Sequence, residues 1–127
     1  MQPPLSQSFS KARSSDFLHV ILRDARYTGL VNHYSGYSMQ LAGKVAIVTG
    51  AARGLGRAYC EAMAREGAAI VAADIMSCDN TVASVTAAGG SAIAINLDVA
   101  DAQSCEAMAT QTIEAFGRID VLINNAA

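Results

Sequence analysis

Four short apolar runs recur along the chain, at residues 44–49 (KVAIVT), 69–74 (AIVAAD), 92–98 (AIAINLD) and 119–124 (IDVLIN). Each is apolar at nearly every position and too short for a core helix, so each reads as a strand buried on both faces. The stretches between them carry helical periodicity instead. Residues 54–66 set Leu55, Ala58, Tyr59, Ala62 and Met63 on one stripe and stop at Gly67,. A weaker helix is expected over 80–88, ended by Gly89 and Gly90. Residues 101–116 are the clearest: Asp101 is placed to cap the helix and Gly117 to stop it. Cys105, Met108, Ala109, Thr112, Ile113 and Phe116 mark its buried face,. Strand and helix alternating in this order predict an α/β fold with a doubly wound parallel sheet, since parallel strands need crossover connections. The pattern stops after the fourth strand. The sheet is therefore expected to be truncated there, with Val121, Leu122 and Ile123 exposed along at least one side.

Two segments of different character are expected. Residues 1–38 hold both prolines, both histidines and seven serines, with four basic against two acidic side chains. No strand period is evident in them, and only a short helix around 16–26 is suggested. They read as a flexible extension or as sequence upstream of a true start at Met39, in preference to an organelle transit peptide. Residues 39–127 carry the strand and helix pattern and are expected to form the organised unit. The net charge of -2 argues against nucleic-acid binding through bulk charge,. No apolar run approaches the ~20 residues of a membrane-spanning helix. Cys60, Cys78 and Cys105 are odd in number and widely spaced, giving neither a disulfide framework nor a zinc signature,. A reducing, cytoplasmic setting and no metal site are the expectations.

In doubly wound sheets ligands bind beyond the carboxyl ends of the strands, so the residues following each strand form a set. After the first come Gly50, Arg53, Gly54, Leu55 and Gly56, a G-x-x-x-G-x-G turn opening into a helix. Glycines permit a sharp turn and close backbone approach, and the helix N-terminus offers unpaired N–H groups to a pyrophosphate. A glycine turn needed for packing alone is the alternative. After the second strand comes Asp74, about 20 residues beyond Gly54, suited to accepting hydrogen bonds from a ribose and to repelling a 2′-phosphate,. Arg53 pulls the other way, because a guanidinium can pair with that phosphate. Asp74 weighs more, which favours NAD over NADP. After the third strand Asp98 and Val99 could bracket an adenine, or Asp98 could cap the next segment. After the fourth, Asn124 and Asn125 could tie neighbouring loops together or meet the inner ribose.

These residues resemble the short-chain dehydrogenases/reductases. Residues 41–50 (LAGKVAIVTG) look like that family's opening segment. Gly50, Gly54 and Gly56 match its T-G-x-x-x-G-x-G motif, and residues 120–126 (DVLINNA) match its fourth strand and N-N-A-G motif. The resemblance covers residues 39–127, and it places Met39 about where members of the family begin. It implies a Rossmann-like, NAD(P)-binding fold in which Gly50, Arg53, Leu55, Asp74, Asp98, Val99 and Asn125 contact a nicotinamide cofactor. Ala127 departs from the usual glycine.

The same resemblance implies hydride transfer between nicotinamide and an alcohol or carbonyl substrate, assisted by a serine and a Tyr-x-x-x-Lys pair downstream of the N-N-A-G segment. No tyrosine of this chain has a lysine four residues later. No catalytic residue is therefore expected within it, and a homo-oligomer is expected only of a full-length protein. Two other readings stay open at this stage. One is a non-catalytic NAD-binding or regulatory module. The other is a Rossmann-like methyltransferase using S-adenosylmethionine, which the asparagines and the glycine spacing suit poorly.

Overall fold

Successive side chains of a strand point to opposite faces, so an unbroken apolar run needs a cover on both. The computed structural model, which describes residues 20–22 and 39–127, supplies two. Its elements run β1 (Val20–Leu22), β2 (Val45–Thr49), α1 (Gly54–Arg65), β3 (Ala69–Asp74), α2 (Asp79–Ala87), β4 (Ser91–Asn96), α3 (Ala102–Phe116) and β5 (Val121–Ile123). Ala46, Val48, Ile70 and Ala72 face a core completed by Cys60 of α1 and Val85 of α2. Val45, Ile47, Val71 and Ala73 face the other way, onto Met108 of α3. Ile47 and Ile70 are wholly enclosed, each burial contributing about 2 kcal/mol.

The strands lie in the order β1-β5-β2-β3-β4. Pairing is parallel between β2 and β3, β3 and β4, and β2 and β5. From β2 the chain steps outward to β3 and β4, then crosses back to set β5 on the other side of β2. The order thus reverses between β2 and β5, and the loops leaving their carboxyl ends diverge. The predicted α/β class and parallel winding are both present.

The sheet edge differs from expectation. β1 pairs antiparallel with β5, setting Val20 opposite Ile123 and Leu22 opposite Val121. The helix suggested around 16–26 is therefore a strand at Val20–Leu22. The remaining readings of residues 1–38 lie outside the described residues. β5 consequently has a hydrogen-bonded neighbour on each side and a core over each face, and Val121, Leu122 and Ile123 are all buried. The expected exposure of these three side chains does not occur.

Helix faces also depart in detail. α1 buries Gly56 and Cys60, while Leu55 and Ala58 of the predicted stripe are exposed. Leu55, in the first turn of α1, lines the strand-end cleft instead of the core. α3 begins as predicted, with Asp101 Oδ1 accepting from the Gln103 N–H at 3.0 Å, and ends at Gly117 in the left-handed region,. Met108 and Thr112 are its buried line and Ile113 is exposed. No helix among the described residues is long and apolar enough to cross a membrane.

Candidate functional site

The carboxyl ends of β2, β3, β4 and β5 open onto one cleft of about 520 Å3. It brings together Gly50, Arg53, Gly54 and Leu55 after β2, Asp74 at the end of β3, Asp98 and Val99 after β4, and Asn125 after β5. Eight of the nine residues singled out from the sequence therefore line a single space. Gly56 does not. It is buried behind the turn, where a Cβ would overlap the Gly50 carbonyl oxygen and stand 2.7 Å from its carbon. Its role is to let α1 start against the turn.

The turn is built from positive-φ glycines, Gly50 at 67° and Gly54 at 59°, a region that side-chain-bearing residues rarely adopt. Asn125 Nδ2 donates to the Gly50 carbonyl at 3.3 Å, and Thr49 Oγ1 accepts from the Asn125 and Ala126 N–H groups, each at 3.0 Å. The amide at the end of β5 thus ties two loops together. No side chain caps α1 at Arg53. The first N–H groups of the helix have no carbonyl one turn earlier, and Gly54 and Leu55 present theirs beside the cleft. The positive end of the helix dipole adds to this an attraction for anions.

Asp74 lines the same cleft with its carboxylate held against the turn. Its Oδ2 accepts from the Ala52 N–H at 2.9 Å and its Oδ1 from the Met76 N–H at 3.0 Å. The carboxylate is held in one orientation with further lone pairs facing the cleft. Asp98 is partly engaged locally, as its capping alternative allows: Oδ1 accepts from the Ala100 N–H at 3.0 Å, and the Asp98 N–H donates to Ser104 Oγ at 2.9 Å. Four contributors were not anticipated. Ile75 and Met76 are exposed apolar residues lining the cleft. Asn96 Nδ2 donates to the Ile75 carbonyl at 3.1 Å, and Thr81 Oγ1 to the Ala51 carbonyl at 2.7 Å. Two large apolar residues directly after a strand-end acid could have been read as a cleft wall. The two polar contacts span long sequence separations and leave no local signal.

All three cysteines are free. Burial, with Cys78 nearby, pushes the Cys60 thiol up to about 12, and burial with Asp74 and Asp79 pushes Cys78 up to about 11. Partial burial with Asp101 and Asp98 also raises Cys105. Because the thiolate is the reactive form, Cys105, the most accessible of the three, is expected to carry nearly all iodoacetamide label in the native protein at pH 8. Cys60 and Cys78 should label only on unfolding. Peptide mapping by mass spectrometry checks this, and early labelling of Cys60 would contradict the packing.

The sequence profile described as short chain dehydrogenase matches residues 44–127. The sorbitol dehydrogenase of Cereibacter sphaeroides is 45% identical over 89 residues, 70% of this chain and 34% of that protein. The galactitol 2-dehydrogenase of Agrobacterium fabrum is 46% identical over 89 residues, with shares of 70% and 34%. Among solved structures, a hydroxysteroid dehydrogenase from Escherichia coli superposes with a TM-score of 0.65 at 33% identity, covering 67% of this chain and 37% of that one. The chain spans about a third of the length of these relatives. A glycine turn opening a helix beside β2, an acid closing β3 and an Asn-Asn pair closing β5 occupy the stretch that the profile matches, and the chain belongs to the short-chain dehydrogenase family.

Proposed function

We propose that residues 39–127 are the cofactor-binding part of an NAD(P)-dependent oxidoreductase that moves hydride between nicotinamide and an alcohol or carbonyl substrate, with NAD preferred. Residues 1–38 are an extension to this unit. The observation that carries the reading is the Asp74 carboxylate, oriented by two backbone N–H groups on the same cleft as the glycine turn. The cleft suits an extended dinucleotide: unpaired N–H groups at one point, a carboxylate at another, and apolar Val99, Ile75 and Met76 beyond. The names of two relatives, a sorbitol and a galactitol dehydrogenase, support an alcohol as substrate.

In this reading the N–H groups at the start of α1 hold the pyrophosphate, with Gly50 and Gly54 letting the backbone approach it. Asp74 accepts from the adenosine ribose hydroxyls. Arg53 lies at the cleft rim beside the phosphates, and Asp98 and Val99 receive the adenine edge and face. Asn125 holds the loop after β5 against the turn and so fixes the inner wall. When bound, the nicotinamide supplies the hydride donor or acceptor. Because no Tyr-x-x-x-Lys lies within these 127 residues, the chain is assigned binding and orientation of the dinucleotide. The reading places the protein in the cytoplasm, without nucleic-acid or membrane partners.

Titrating the chain with NAD, NADP and S-adenosylmethionine tests this. A 2′-phosphate a few ångströms from Asp74 meets a repulsion on the order of 1–2 kcal/mol in an open cleft, so NAD is expected to bind about tenfold or more tighter than NADP. S-adenosylmethionine is expected to bind weakest. Asp74→Ala removes the repulsion and the ribose acceptor together, and the preference should fall to near parity. An unchanged ratio in that variant would remove Asp74 from the ribose pocket.

A further inference from the structure

Thr81 lies in the first turn of α2 and is completely buried, although nothing in a helix interior calls for a threonine there,. Its hydroxyl donates to the Ala51 carbonyl at 2.7 Å and stands 3.5 Å from that of Ala52. The N–H of the Ala51–Ala52 peptide unit belongs to Ala52, and it donates to Asp74 Oδ2 at 2.9 Å. One peptide plane is therefore gripped at both ends, by Thr81 at its oxygen and by Asp74 at its nitrogen. The residue before it is fixed as well, since the Ala51 N–H donates to the Ala73 carbonyl at 3.2 Å.

We propose that Thr81 is a positioning residue for cofactor selectivity, holding the Ala51–Ala52 peptide plane so that its N–H locks the Asp74 carboxylate toward the ribose. This rests on the reading of Asp74 given above. Without the hydroxyl, the buried Ala51 carbonyl has no donor among the described residues, and a buried acceptor that cannot reach a partner favours any rotation that finds one. Rotation of the plane carries the Ala52 N–H away from Asp74. The carboxylate then keeps only the Met76 N–H and is no longer held in one orientation. A rotated carbonyl also brings a negative dipole toward the place where the start of α1 offers its N–H groups to phosphate. Both consequences weaken NAD. The first relieves the repulsion of a 2′-phosphate, so NADP loses less.

The experiment measures dissociation constants for NAD and NADP on the 127-residue chain carrying Thr81→Val, Thr81→Ala, Thr81→Ser and Asp74→Ala, with thermal midpoints alongside. Two hydroxyl-free variants are made so that a folded one is compared. The NAD:NADP preference is expected to fall about fivefold in Thr81→Val or Thr81→Ala, the size of one lost hydrogen bond. It should return in Thr81→Ser, and Thr81→Val should add nothing to the preference when combined with Asp74→Ala. A purely structural role for Thr81 lowers the thermal midpoint and leaves the ratio of the two affinities where it was; that result overturns the proposal. If Asp74→Ala itself leaves the ratio unchanged, the ribose reading fails and this inference with it. If Asp74→Ala shifts the ratio and the hydroxyl-free variants do not, the inference alone fails.

Discussion

Gly56→Ala is expected to weaken dinucleotide binding by more than a hundredfold and to lower stability by about 3 kcal/mol, the upper part of the range for overpacking a tight site. The added Cβ would overlap the Gly50 carbonyl oxygen and lie 2.7 Å from the Gly50 carbon and 2.9 Å from Asn125 Nδ2. Two of these three atoms are backbone, so no rotamer change relieves the contact. Either α1 slides outward or the turn shifts by about an ångström to restore ordinary contact distances. A shift of the turn stretches the Asn125–Gly50 hydrogen bond, already 3.3 Å, and displaces the N–H groups assigned to the pyrophosphate. Gly54→Ala is the control within the same turn. Nothing lies within 4 Å of a Cβ there, and only the φ of 59° resists the change, for which the cost is about 1–2 kcal/mol. Chemical denaturation of both variants checks the order of the stability losses, and dinucleotide titration checks the binding loss in Gly56→Ala. Equal effects would show that backbone conformation, and not the approach of α1 to the turn, sets the requirement for glycine at position 56.

The contrast between these two glycines shows what could be read before the structure. Both belong to one motif, and from the sequence both read as cofactor-binding. Only Gly54 reaches the cleft, because the separation of a lining role from a packing role depends on how the helix axis meets the strand. Strand ends were legible because each apolar run is bounded by Gly, Asp or Asn, so Asp74, Asp98 and Asn125 fell at the sheet edge by periodicity alone. Helix faces were less so. A 3.6-residue stripe locates apolar residues, but Leu55 satisfies it while facing a cleft and Ile113 while facing water. β1 escaped because three residues, VIL, are too short for any period to register, and its partner β5 is about a hundred residues away. Thr81 escaped for a related reason: a hydroxyl-to-backbone bond spanning 30 residues is a product of the fold.

Asp120 supplies the second large effect, and this one concerns the sheet alone. It lies immediately before β5 and is 1% exposed. Its N–H donates to the Val45 carbonyl at 2.9 Å, and its Oδ2 accepts from the Val45 N–H at 2.9 Å. Side chain and main chain together thus add one more step to the β2–β5 ladder below the Ala46–Val121 pair. The same carboxylate receives Arg118 through Nε at 2.7 Å and Nη2 at 2.6 Å, a bidentate grip that leaves the guanidinium partly in water,. Asp120→Ala removes the acceptor for a buried N–H and separates the paired charges. The orphaned N–H costs about 1–3 kcal/mol, and Arg118, being 37% exposed on its side chain, turns to solvent and adds little. A loss of about 3 kcal/mol is expected, which lowers the thermal midpoint by roughly 10 °C in a domain of this size. Asp120→Asn keeps an oxygen for the Val45 N–H and should recover about half. The two β-strands that Asp120 joins flank the point where the strand order reverses, so loosening them widens the cleft from below. NAD affinity in Asp120→Ala, measured well under its midpoint, is therefore expected to fall severalfold while the NAD:NADP ratio stays fixed. A change in that ratio would show that the ladder, and not only the Asp74 loop, reaches the ribose.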